Sequence, residues 1–123
     1  YRRMVFNILI GNNDDHARNH AFFWDGSRYQ LTPAYDLCPM LRSGHTTNQA
    51  MIVGKEGRLS TLKNALSEPD LFGLSRGQAN LIKNELVDSI STQWITAADR
   101  AQLTKNQSDL LRQSTVLLPG CFY

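Results

Sequence analysis

The chain has 123 residues, 41% of them hydrophobic and 20% charged, with a formal net charge of +2. That length fits one domain, and the composition is that of a folded globular protein rather than a disordered or fibrous one. The weak positive charge, without any Lys/Arg run, gives no ground for direct nucleic-acid binding, and no apolar run reaches the ~20 residues of a membrane helix.

Val5, Ile8 and Leu9 recur at helical spacing with Tyr1 and Met4, so residues 1–10 are expected to form a buried helix ended by Gly11. Arg2 and Arg3 then read as a solvated helix start. The next ten residues, GNNDDHARNH, form a polar loop between two apolar segments. AFFW, the turn DGS and RYQLT follow as a β-hairpin, with Pro33 closing the second strand. Residues 43–58 are rich in Gly, Thr and polar side chains, and predict a long loop with at most one strand at AMIV. From Leu59 onward the texture is helical. Leucines recur at 59, 62 and 66, and Ser75 is placed to cap a helix whose stripe is Ala79, Ile82, Leu86 and Ile90. One or two further helices are expected beyond residue 97. Cys38 and Cys121 suggest no disulfide framework, and with no signal-peptide pattern a reducing cytoplasm is the expected setting.

The polar loop is the sequence's main anomaly, because burying so many charged and polar groups costs several kcal/mol unless each finds a partner. Zinc is one reading: His16 and His20 stand four apart, but position 17 is Ala where a metalloprotease helix carries Glu, and a third ligand would have to come from His45, Cys38 or a carboxylate. A calcium loop beginning at Asp14 fails at its sixth and twelfth positions, which hold Asn19 and Asp25. A plain Asx-rich turn accounts for NND but not for the His, Arg and Asn that follow.

Phosphoryl transfer accounts for more. Protein kinases place a catalytic Asp five residues before a metal-binding Asn, then present a second metal-binding Asp. Asp14 and Asn19 have that separation, and Asp36 follows the hairpin, 17 residues after Asn19. The transferred group is almost pure charge, so such a site must supply positioning and cations. A hard Mg²⁺ ion suits one amide oxygen plus one carboxylate, with room left for phosphates and water.

The stretch NILIGNNDDHARNHAFFWDGSRYQLTPAYDLCPM resembles the catalytic core of the HipA-like serine/threonine kinases, the toxin kinases of bacterial toxin–antitoxin modules. The match is to an Asp-x-His-x-Lys-Asn loop after a helix ending in Ile-Gly, then a hairpin, then Leu-x-Pro-x-Tyr-Asp, across residues 6–37. The resemblance implies an α+β, mostly α, kinase-like C-terminal lobe. It implies that Asp14 accepts the substrate proton, that Asn19 and Asp36 bind Mg²⁺, and that His16, Ala17, Arg18 and Tyr35 join them around ATP. Arg18 stands where the family usually has Lys, exchanging a point charge for a planar fork. Asp15, beside the base, is expected to be solvated.

The family's phosphate-binding loop and adenine hinge lie N-terminal to the catalytic loop. Residues 1–123 are therefore expected to be one lobe of a larger kinase, with little activity alone. The resemblance further implies a protein substrate, such as an aminoacyl-tRNA synthetase, and a DNA-binding antitoxin partner. A non-catalytic, kinase-like interaction module is the alternative. Phe22, Phe23 and Trp24 are expected near an uncovered cleft, which favours self-association.

Overall fold

The computed structural model describes residues 1–41 and 47–123. Helix α1 (Arg2–Leu9) is followed by the polar loop, strands β1 (Phe22–Trp24) and β2 (Tyr29–Leu31), then α2 (Leu62–Ala65), α3 (Arg76–Arg100) and α4 (Lys105–Thr115). Single 3₁₀ turns occur at Ala17–Asn19, Pro69–Phe72 and Pro119–Cys121. The domain is α+β and mostly helical.

The core forms where α1 lies across α2 and α3. Val5, Ile8 and Leu9 are buried against Val53, Leu62, Ala65, Leu86 and Cys121, with Ile82 and Ile90 packed alongside. The expected stripe on α3 is therefore the face that meets α1. Helix α3 begins with a capping box, in which the Ser75 hydroxyl accepts from the Gln78 N–H and the Gln78 side chain accepts from the Ser75 N–H. Thr104 and Gln107 repeat the device at α4, and Trp94 Nε1 donates to Ser108 Oγ at 2.9 Å to join the two helices. At the other end of the core, Leu117 N–H donates to the Leu9 carbonyl at 2.7 Å, giving the end of α1 a partner from the C-terminal segment.

The hairpin is antiparallel, with Phe22 opposite Leu31, Phe23 opposite Gln30 and Trp24 opposite Tyr29. Its turn is shaped by Asp25, whose Oδ1 accepts the N–H groups of Ser27 and Arg28, both at 2.9 Å. Those bonds hold the Asp25 carboxyl down at about 2. Arg3 departs from the expected solvated role. Its Nη2 donates to the Thr32 carbonyl, fastening α1 to the end of β2. Arg2 remains at the surface in an ion pair with Glu85 at 2.7 Å.

The long loop expected over 43–58 lies partly outside the described residues. From Thr47 on it carries isolated bridges, Asn48 with Leu59 and Gly54 with Gly57, and AMIV forms no strand. Cys38 is exposed and Cys121 buried, and no disulfide joins them.

Candidate active site

Helix α1 ends at Leu9, and Gly11 at φ 73 turns the chain out of it. The residue that follows, Asn12, is 2% exposed and is bonded through both backbone and side chain. Its N–H donates to the Asn7 carbonyl at 2.9 Å, and its Nδ2 donates to Asn7 Oδ1 at 3.1 Å and to the Asp36 carbonyl at 3.3 Å. Its Oδ1 accepts the Asp14 N–H at 3.1 Å, and its carbonyl accepts from Gln49 Nε2 at 2.9 Å. One side chain thus ties the helix end, the start of the polar loop and the segment after the hairpin.

The 3₁₀ turn Ala17–Asn19 then folds the loop back on itself. Asn19, 7% exposed, donates from Nδ2 to the Asp14 carbonyl at 3.2 Å. Tyr35 reaches across and donates from Oη to the Arg18 carbonyl at 2.7 Å. Read in order, these bonds run from Asn19 to Asp14, from Asp14 to Asn12, and from Asn12 to Asp36. The three residues expected to carry the chemistry are linked into one constellation, Asp14 and Asp36 through their backbones and Asn19 through its side-chain amide. Their functional atoms are not consumed in doing so. The carboxylates of Asp14 and Asp36, both exposed, make no hydrogen bond or ion pair among the described residues. Asn19 spends its amide N–H₂ on Asp14 and keeps its Oδ1 as an acceptor. Asp36 sits at φ 56, a left-handed conformation uncommon outside glycine but tolerated by Asp and Asn.

Asp15 corrects the expectation of a solvated carboxylate. It is 5% exposed, and its Oδ1 meets His20 Nε2 at 2.7 Å. Burial of a charge demands such a partner, and the pair closes the same five-residue span that Asn19 closes to Asp14. His20 therefore belongs to a loop-closing pair rather than to a two-histidine metal site. His16 is half-buried with Nδ1 unpartnered, Ala17 and Arg18 are exposed, and His45 lies outside the described residues.

Asp15, Ala17 and His20 turn toward a groove of about 520 Å³, walled by Met4, Phe22, Leu31, Ile52 and Phe72 among others. Asp14, Asn19, Arg18 and Asp36 are not among its walls. Among the described residues no three His, Cys, Asp or Glu side chains cluster as an ion cage. The donors at hand, one amide oxygen and free carboxylates, instead fit a hard ion shared with phosphate oxygens and water.

Sequence reasoning picked out Asp14, Asn19, Tyr35 and Asp36 but passed over Asn7, Asn12 and Gln49. The available signal was Asn7, a polar residue on the otherwise apolar buried face of α1, followed five residues later by a second Asn.

Fold and site together define a mostly helical α+β domain in which a polar loop and a hairpin present an acidic, amide-bearing centre. A family model, the HipA-like C-terminal domain, matches residues 1–94. The chain belongs to that family. No curated protein and no solved structure matches it. The matched span includes the whole candidate site and most of α3; the C-terminal end of α3 and α4 lie beyond it.

Proposed function

We propose that this domain is the catalytic-loop lobe of a HipA-like serine/threonine kinase that transfers the ATP γ-phosphate to a protein hydroxyl. The observation that carries the reading is the hydrogen-bonded chain through Asn19, Asp14, Asn12 and Asp36, which fixes the Asp14 and Asp36 backbones and leaves their carboxylates and the Asn19 oxygen free. A structural turn would spend those side chains on its own backbone, as Asp25 does in the hairpin.

In this reading Asp14 accepts the proton of the substrate hydroxyl as its oxygen attacks the γ-phosphorus. The bond from that phosphorus to the β–γ bridging oxygen breaks, and ADP leaves with the electron pair. Asn19 Oδ1 and the Asp36 carboxylate would hold Mg²⁺, which when bound neutralises charge on the phosphates. Arg18, an exposed cation on the same turn, supplies a fork for phosphate oxygens, and its backbone is held by Tyr35. His16 and Ala17 border the nucleotide. The adenine and the outer phosphates are clamped by a separate lobe, so residues 1–123 alone give little or no transfer, because positioning is most of the catalysis. A toxin–antitoxin role, with an aminoacyl-tRNA synthetase as substrate and a DNA-binding antitoxin as partner, extends the same proposal, as does a cytoplasmic location. No described helix is long and apolar enough to cross a membrane.

One observation favours a second reading, a non-catalytic interaction module. Phe22, Phe23, Trp24 and Tyr29 are all more than half exposed on one small hairpin. Labelled phosphate from γ-labelled ATP, offered to the longest natural polypeptide carrying these residues, decides between the two. The kinase reading expects incorporation on Ser or Thr that Asp14→Asn abolishes. Absence of incorporation in the unsubstituted protein, with intact binding of a partner through the hairpin, favours the module.

A further inference from the structure

We infer that Asn12 is a positioning residue that sets the metal-ligand segment against the catalytic loop, and that it does so by holding Asp36 in its left-handed backbone conformation. Four observations meet at this side chain. Asn12 is almost fully buried, so its carboxamide has no water to turn to. Its two ends do different jobs: Oδ1 receives the Asp14 N–H, and Nδ2 gives to the Asp36 carbonyl. Its orientation is not free to reverse, because Nδ2 also gives to Asn7 Oδ1, and Gln49 fixes its main-chain carbonyl. Asp36, at φ 56, is one of three described non-glycine residues with positive φ, a conformation that Asp tolerates but that still costs free energy and so draws on partners such as Asn12 to hold it.

Hydrogen bonds to Asp14 and Asp36 from one carboxamide fix where the two backbones lie relative to each other. A proton acceptor and a metal ligand from separate segments need that register, and partners outside the ligand shell commonly control metal affinity by about 10- to 100-fold. The functional consequence rests on the kinase reading; the backbone consequence does not.

Asn12→Asp separates the two ends, since a carboxylate still accepts the Asp14 N–H but cannot donate to Asp36. Asn12→Ser, which buries no charge, is the second variant should Asn12→Asp fail to fold. The test uses NMR of residues 1–123, with Mn²⁺ alone as probe. In the unsubstituted chain Mn²⁺ is expected to broaden the Asn19 and Asp36 resonances. In Asn12→Asp the Asp36 backbone should leave the left-handed region, Mn²⁺ affinity should fall 10-fold or more, and the Asp14 amide should stay protected from exchange. Asn12→Ser should lose both the torsion and the protection. If both variants keep the Asp36 torsion, or bind Mn²⁺ as tightly as the unsubstituted chain, the inference is overturned. If the unsubstituted chain shows no broadening at Asn19 and Asp36 while Asn12→Asp still releases the torsion, positioning stands and the metal-site reading fails.

Discussion

Two buried asparagines organise this domain, and they do so for different ends. Asn64, fully buried in α2, spends its whole side chain on one neighbouring loop. Its Oδ1 accepts the Glu56 N–H at 2.8 Å, and its Nδ2 donates to the carbonyls of Gly57 and Leu59 at 3.1 and 2.9 Å. Its backbone joins in, the N–H donating to Thr61 Oγ1 and the carbonyl accepting from Ser67 Oγ. Every group it touches there is backbone or hydroxyl, and every one ends satisfied. Asn12 likewise ties loops together, yet two of the residues it orders, Asp14 and Asp36, present carboxylates with no described partner. The same amide chemistry thus builds a closed scaffold knot in one place and an open, charged centre in the other. Under the proposed function those two carboxylates are the groups left available to substrate and metal.

The contrast breaks most severely at the scaffold. Asn64→Ala takes the acceptor from the part-buried Glu56 N–H and one donor each from the Gly57 and Leu59 carbonyls, which keep backbone donors; three lost hydrogen bonds at about 1 kcal/mol each should cost roughly 3 kcal/mol in urea unfolding. A loss below ~1 kcal/mol would mean that the loop is held by other contacts. Gly54→Ala comes next. A Cβ there would collide with the Asn64 carbonyl oxygen and with Ser67 Oγ, so backbone must shift. The expected cost is about 1–3 kcal/mol, read as a lowered Tm.

Smaller effects sharpen the picture at the site. Asp15→Asn weakens the bond to His20 and should cost about 1–2 kcal/mol. Asp14→Asn and Asp36→Asn, which break no described side-chain bond, should stay within ~0.5 kcal/mol. Thermal melts of the three variants check the order, and a destabilising Asp14→Asn would place that carboxylate in the scaffold. The smallest effect is at Asp25. Its carboxyl is held down at about 2, first by the Arg28 N–H and then by Ser27. The turn's stabilisation is therefore present above the ordinary carboxyl value of 3.8 and is lost as pH falls through about 2. NMR shifts of the Ser27 and Arg28 amides should titrate near that lower value; a midpoint near 3.8 would mean that the turn bonds are absent in solution.

Local signals carried most of the fold. Apolar spacing placed α1, Asp25-Gly26 placed the hairpin turn, and Ser75 marked the start of α3, because caps, turns and stripes are set by neighbouring residues. The five-residue step from Asp14 to Asn19 and the return at Asp36 were legible for the same reason. What the sequence hid was long-range pairing of polar side chains. Asn12 meets Asp36 across 24 positions and Gln49 across 37. Asp15 looked like a surface carboxylate until the 3₁₀ turn brought His20 to it. Residues 47–60 gave no periodic signal because that segment is held by the side chains of Asn64 and Gln49 and by isolated backbone bridges rather than by a continuous strand ladder.

The central claim is that Asp14 and Asp36 divide the labour of one phosphoryl-transfer site, and calorimetric titration of Mg-ATP alongside phosphate incorporation tests it most directly. In the longest natural polypeptide carrying the domain, Asp14→Asn should bind Mg-ATP nearly as the unsubstituted protein does while transfer collapses, since the lost interaction belongs to the transition state. Asp36→Asn should weaken Mg-ATP binding together with turnover, because a carboxylate ligand has become a neutral amide. Transfer that survives Asp14→Asn, or Mg-ATP binding indifferent to Asp36→Asn, would contradict the account.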